Sequence, residues 1–120
     1  IGWTIVARKG RTAAGDRGLV TDPLVFEGPE GSITLTAAAL TDLVAGAARS
    51  VEGVRVRRPR RAVEVRHGNG HAAASLELVA PHGESLVELA HAVQERVGRA
   101  LAAVSGLAIE RVDVEIAEIA

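Results

Sequence analysis

Residues 85–105 read SLVELAHAVQERVGRALAAVS, a run with apolar side chains at every third or fourth position. This spacing predicts an amphipathic α-helix, because 3.6 residues per turn bring such positions onto one face. Gly106 is a natural end for the helix. Gln94 and Glu95 are predicted to be exposed. The predicted buried stripe consists of Leu86, Leu89, Ala90, Val93, Val97, Ala100, Leu101 and Val104.

Strand-like segments flank this helix on both sides. Residues 72–80 predict a strand before it, and the alternation in residues 112–116 predicts another after it. Ser85 and Glu88 have the spacing of a capping box at the start of the helix. If the two strands share a sheet, the order strand, helix, strand predicts a parallel crossover.

The first half of the chain predicts a second helix and further strands. Residues 32–35 alternate, Thr36 is suited to cap a helix, and Gly53 is suited to end it. Residues 54–58 and 62–66 also alternate, and they predict a hairpin or two linked strands around Pro59-Arg60-Arg61.

The order of elements is β-α-β-β-(β)-α-β. It predicts an α+β fold of two layers, with two helices packed on one face of a mixed β-sheet. The other face of the sheet is predicted to be exposed and charged. Its residues would be Arg55, Arg57, Glu64, Arg66, Glu77, Asp113 and Glu115.

The N-terminal region has weaker patterns than the rest of the chain. Residues 3–7 are consistent with a short strand, and residues 19–26 with a second strand or a docked extended segment. We therefore expect residues 1–30 to form an N-terminal arm and residues 31–120 to form the α+β domain.

The composition narrows the classes of function. The net charge is −1, so the chain as a whole has no strong attraction to polyanions. It has no Cys, which removes thiol catalysis and Cys-ligated metals and fits a reducing cytoplasm. Aromatic residues make up 2% of the chain, which leaves few rings for stacking on bases.

The patterns of chemistry-bearing residues do not favour an enzyme. His67 and His71 flank a tight turn, but a structural zinc site normally takes four ligands, so we expect no metal. The acidic residues of the last strand, residues 110–118, are candidates for Mg²⁺ or Ca²⁺, although a solvated strand explains them better. No nucleophile elbow and no phosphate-binding glycine loop is present. We predict no catalytic residues, no cofactor and no resident metal.

The strongest candidate site is a cluster of arginines. Residues 49–66 contain seven Arg and only two acidic residues. Such a patch is able to contact an acidic protein, anionic lipid headgroups or nucleic-acid phosphate. The alternative is a soluble face balanced by local acids. The candidate partner-binding residues are Arg55, Arg57, Arg58, Arg60, Arg61 and Arg66.

Three segments resemble the alkaline-shock, or general-stress, protein family of Gram-positive bacteria, which takes part in the envelope stress response. Residues 31–36 read GSITLT and lead to a small-residue helix that ends in VEGV at 51–54. Residues 92–97 read AVQERV, and residues 105–116 read SGLAIERVDVEI. The resemblance covers about residues 31–119.

The resemblance implies a small cytoplasmic protein linked to envelope and alkaline stress. Some members lie beneath the membrane through a membrane-anchored partner, and some self-associate. It implies no catalytic residues. The leading hypothesis is a non-enzymatic interaction or scaffold module that binds copies of itself and a membrane-anchored protein. The first alternative is a nucleic-acid-binding module that uses the Arg-rich strands 55–66, and the second is a small metal-dependent enzyme.

Overall fold

The computed structural model of the protein describes residues 4–5 and 18–120. Within them, a four-stranded sheet has the order β1-β6-β5-β4, and β2 and β3 form a separate two-stranded sheet. The elements are β1 (Thr4–Ile5), β2 (Leu24–Gly28), β3 (Gly31–Leu35), α1 (Ala37–Arg49), α2 (Pro59–Ala62), β4 (Val63–Gly68), β5 (His71–Ala80), α3 (Leu86–Ser105) and β6 (Ala108–Ile119).

The predicted α+β architecture is confirmed. β4 and β5 pair antiparallel, while β5 and β6 pair parallel across α3, so the sheet is mixed. α1 and α3 contact each other and contribute to a single hydrophobic core with the inner face of the sheet. The core is built from small apolar residues, and its members from the sheet are Val63, Val65, Ala72, Ala74, Leu76, Leu78, Ala80, Val112 and Val114.

The long helix α3 follows its predicted pattern with two exceptions. Val93, Val97 and Leu101 are at most 1% exposed. Val104 is 48% exposed, so its assignment to the buried stripe was wrong. Gln94 was predicted to be exposed but is 1% exposed, because its Nε2 donates a hydrogen bond of 2.9 Å to the Val112 carbonyl oxygen. A backbone acceptor on β6 thus holds this polar side chain in the interior.

The predicted helix boundaries are mostly correct. Thr36 caps α1, and its Oγ1 accepts a hydrogen bond of 3.1 Å from the Ala39 amide. Gly106 ends α3 with φ 72°, a left-handed conformation that glycine adopts readily. Ser85 precedes α3 but makes no side-chain capping bond, so the predicted capping box does not form.

The charged outer face of the sheet is less open than predicted. Strand register places Glu64, Ser75 and Asp113 in one row across β4, β5 and β6. Asp113 is only 5% exposed and forms an ion pair with Arg111 two residues earlier on the same face. The prediction that Asp113 is exposed was therefore wrong, since burying a carboxylate is tolerated when a cation pairs with it.

Of the two alternatives for residues 54–58 and 62–66, the hairpin was wrong, because these segments do not pair with each other. Arg55 instead forms an antiparallel bridge to Val79 on β5, the strand that also pairs with β4. The short helix α2 (Pro59–Ala62) lies between that bridge and β4. Proline is favoured in the first turn of a helix, since it needs no amide donor there.

The N-terminal region contributes strands to the molecule. β1 pairs parallel with β6 at Asp113 and Val114. β1 is part of the short strand predicted for residues 3–7. Residues 3, 6 and 7 lie outside the described residues. Val20 exchanges two backbone hydrogen bonds of 2.8 Å with His67 on β4. The division of the chain at residue 30 stays a prediction, and the hairpin β2–β3 runs across it.

Among the helices of the described residues, none combines the length and apolar character needed to cross a lipid bilayer.

Candidate interaction site

The arginine-rich segment, residues 54–62, leaves α1 and runs along the edge of β5. Gly53 adopts φ 86° and turns the chain after α1. Val54 and Val56 are each 5% exposed and anchor the segment in the core. Arg55 lies between them and is exposed, since alternate residues of an extended chain point in opposite directions.

The helix α2 presents the remaining arginines of the segment. Arg58 precedes it with φ 48°, and its carbonyl oxygen accepts hydrogen bonds from the amides of Arg61 and Ala62 at 2.8 and 3.0 Å. Arg60 and Arg61 are both exposed on this single turn. The turn is too short for a periodic signal, which is why the sequence pattern did not predict it.

Two of the arginines are paired with acids of the same chain. Arg57 Nη1 lies 2.7 Å from Glu118 Oε1 on β6. Arg60 Nη2 lies 3.5 Å from Asp42 Oδ2 on α1. Both pairs are exposed, so each contributes little to stability.

The other predicted patch residues have different surroundings. Arg55, Arg58 and Arg61 are exposed, and the described part of the chain provides no acidic partner for them. Arg66 is half-buried on β4, opposite Ala73, rather than on the arginine-rich segment. The structure therefore gathers five of the six predicted arginines on one segment and leaves Arg66 on the adjoining strand.

Two further arginines make hydrogen bonds near the segment, one to the segment itself and one to the end of α1, and sequence reasoning did not single them out. Arg49 Nη2 donates a hydrogen bond of 2.8 Å to the Val56 carbonyl oxygen. Arg96 Nη1 on α3 lies 2.9 Å from both the backbone oxygen and the Oγ of Ser50, at the end of α1. The residues joined are 7 and 46 positions apart, and no spacing rule reveals either bond.

A shallow cleft of about 150 Å³ adjoins the segment. Its apolar lining comes from α2, β5 and β6. Its polar lining includes the ion pair between Arg57 and Glu118. The residues that line it are Arg57, Ala62, Glu77, Leu78, Val79, Ala117 and Glu118. A cavity of this volume accommodates a group the size of benzene.

The two histidines that flank the β4–β5 turn contact different groups of the same chain. His67 Nε2 lies 2.6 Å from the carbonyl oxygen of Asp22. His71 Nδ1 lies 2.6 Å from Glu110 Oε2 on β6. Within residues 4–5 and 18–120, no group of three or more His, Asp or Glu side chains is arranged to hold a metal ion.

Three of the four acidic residues of the last strand each pair with a different basic side chain. Glu110 pairs with His71, Asp113 with Arg111, and Glu118 with Arg57. Each of these three carboxylates faces a basic side chain, which offsets the negative charge that a divalent cation would need.

Comparison with known proteins gives a family match. The model of the alkaline shock protein family, described as having a cell envelope-related function, matches residues 26–120. No curated protein matches the chain. A solved structure of a MamM CTD variant shares 22% sequence identity with a TM-score of 0.47, and the match covers 68% of this chain and 93% of that one.

Proposed function

The chain belongs to the alkaline shock protein family, whose function is related to the cell envelope, and we propose that it acts there as a non-enzymatic interaction module in the envelope or alkaline stress response. The family match agrees with the resemblance of its sequence motifs. We further propose that the protein works in the cytoplasm, close to the membrane, through a membrane-anchored partner and through copies of itself.

The observation that carries this proposal is the arginine-rich segment. Residues 55–61 contain five Arg and no acidic residue. Buried Val54 and Val56 and the hydrogen bond from Arg49 fix the backbone of this segment, so its side chains are presented from a defined position. A fixed cationic surface favours association with an acidic protein surface, because complementary charges steer the encounter.

The nucleic-acid alternative is less well supported by the same segment. Arg57 and Arg60 are occupied by Glu118 and Asp42, which reduces the charge available to phosphates. The outer face of the sheet carries Glu64 and Glu115 in addition to its arginines, and these carboxylates would repel a phosphate backbone.

The test is crosslinking in the source cell followed by identification of the captured proteins. We compare the wild type with the double variant Arg55→Ser/Arg61→Ser and with Arg99→Ser. Arg99 is an exposed arginine on α3 that pairs only with Glu95 in the described chain, so it controls for the loss of surface charge. We expect the double variant to lose the captured protein and Arg99→Ser to keep it.

Two results would contradict the proposal. One is capture that is unchanged in the double variant. The other is a strictly monomeric wild type that binds RNA tightly at about 0.15 M salt, where contacts to phosphates alone are already much weakened. In that second case the nucleic-acid alternative would replace the present proposal.

A further inference from the structure

The shallow cleft beside the arginine-rich segment lies on the outer face of the sheet. Arg55 is the antiparallel partner of Val79, which lines the cleft. Directly opposed residues of paired strands point to the same face. On the other side of β5, Val79 pairs with Glu118 of β6, which also lines the cleft. Arg55, Val79 and Glu118 therefore form one row across the end of the sheet.

A β-bulge explains why a cleft is present at this end of the sheet. The register of β5 and β6 shifts between Leu78 and Val79, and Ala117 is the residue of β6 that has no counterpart on β5. A bulge bends its strand and increases the local twist. Ala117 and Ala62 of α2 each line the cleft with a single methyl group. One larger side chain at either position would therefore fill it.

The interior of the cleft suits an aliphatic group. Its apolar lining is Ala62, Leu78, Val79 and Ala117, and its volume of about 150 Å³ is sufficient for one side chain such as Leu. None of the described residues that line it is aromatic, so a nucleic-acid base has no ring there on which to stack.

The surface around the cleft is predominantly positive. Arg55, Arg58 and Arg61 are exposed, and they belong to the segment that supplies Arg57 to the lining. The lining also contains two carboxylates, and that of Glu118 is already paired with Arg57. A ligand that combines negative charge with one aliphatic group therefore complements both the surface and the cleft.

We propose that the partner of the arginine-rich segment is a short extended segment of another protein, in which one aliphatic side chain is flanked by acidic residues. The aliphatic side chain occupies the cleft, and the flanking carboxylates lie against Arg55, Arg58 and Arg61. Clusters of arginine are a recurring means of binding acidic motifs in peptides. This inference rests on the proposed function and adds to it the chemistry of the partner.

The two parts of this contact have different roles. The exposed charges steer the encounter, and salt screens them. Salt does not screen the burial of an aliphatic side chain in the same way, so the cleft maintains binding when the charges are weakened. The cleft therefore selects, among acidic segments, those that have an aliphatic residue between their carboxylates.

The experiment measures the fluorescence anisotropy of two labelled synthetic peptides that are titrated with the protein. One peptide has a single Leu between two short runs of Glu, and the other has Ser in place of that Leu. We expect the wild type to bind the Leu peptide about tenfold more tightly than the Ser peptide. Arg55→Ser/Arg61→Ser should weaken the binding of both peptides.

Filling the cleft should abolish the preference for Leu. Ala117→Leu adds a larger side chain at the bulge, and Ala62→Leu adds one from α2. We expect each filled variant to bind both peptides as weakly as the wild type binds the Ser peptide. Retained binding of the Ser peptide shows that the variant is folded. Ala103→Leu, at an exposed alanine of α3, is the control and should keep the tenfold difference.

Three results would overturn the inference. They are equal binding of the two peptides to the wild type, no binding of either peptide, and a preference for Leu that persists in a filled variant. Failure here is distinguishable from failure of the proposed function. If the preference is absent while Arg55→Ser/Arg61→Ser still loses the protein captured by crosslinking, the interaction role stands and the partner is not an acidic segment with an aliphatic anchor.

Discussion

The β5–α3–β6 unit and the arginine-rich segment both lie against β5, but they are stabilised differently. α3 buries Val93, Val97 and Leu101 almost completely against the sheet. The arginine-rich segment buries only Val54 and Val56, and it depends on backbone bonds to Val79 and on the Arg49 side chain. The comparison indicates that the first region carries the stability of the fold, whereas the second uses a minimal anchor to present charge.

The largest expected effect is on the buried face of α3. Leu101→Ala removes a side chain that is 1% exposed, which should lower the free energy of unfolding by about 2–5 kcal/mol. Thermal denaturation should show a decrease in Tm of about 10 °C or more. Glu95→Ala on the exposed face is the control and should change Tm very little. Equal small changes would mean that α3 does not carry the stability assigned to it.

A smaller effect is expected where the arginine-rich segment begins. Gly53 has φ 86°, and a Cβ added there would lie 2.8 Å from Pro81 Cγ. Gly53→Ala should therefore cost about 2–3 kcal/mol, from a left-handed alanine together with overpacking. Gly70→Ala is the matched control, because Gly70 has φ 80° with open space around it. Chemical denaturation that gives the same loss for both variants would mean that the close approach to Pro81 adds nothing to the cost.

The anchor of the segment should respond more weakly still. Arg49→Ala removes one hydrogen bond to the Val56 carbonyl and should cost about 1 kcal/mol. Hydrogen exchange should show faster opening of the Arg55 amide, which donates to Val79, while the central amides of α3 remain protected. Arg99→Ala is the control. Faster exchange throughout α3 would instead show that the two regions open as one unit.

The smallest effect is expected for the ion pair between the segment and β6. A double-mutant cycle on Arg57 and Glu118 should give a coupling free energy of about 0.2–1 kcal/mol, because both side chains are about half exposed. The coupling should fall further in about 1 M salt. A coupling that is large and independent of salt would contradict the description of this pair as a surface contact.

The sequence predicts the elements whose apolar residues recur at regular spacing. It misses the features that depend on which residues of neighbouring elements meet. The spacing of apolar residues was sufficient for α1, α3 and the mixed sheet. Gln94 and Asp113 were misplaced because each is buried only through a partner, the Val112 carbonyl or Arg111, that a spacing rule does not identify. The helix α2 was missed because one turn has no periodicity, although Pro59 was a local signal.

The candidate site was also predictable only in part, because its contacts join residues that spacing rules do not relate. The cluster of arginines was evident from the sequence alone. The sequence did not show which of these arginines pair with an acidic residue. The pairing of Arg57 with Glu118 follows from a contact between residues 61 positions apart in the chain. The arginine-rich segment and the acidic last strand thus meet inside one chain.

The measurement that tests the interaction role most directly is sedimentation equilibrium of the wild type over a range of salt concentrations. We expect a mass well above that of the monomer at low salt, which decreases towards the monomer as salt screens the arginine-rich segment. A mass equal to that of the monomer at every salt and protein concentration would contradict self-association through this segment.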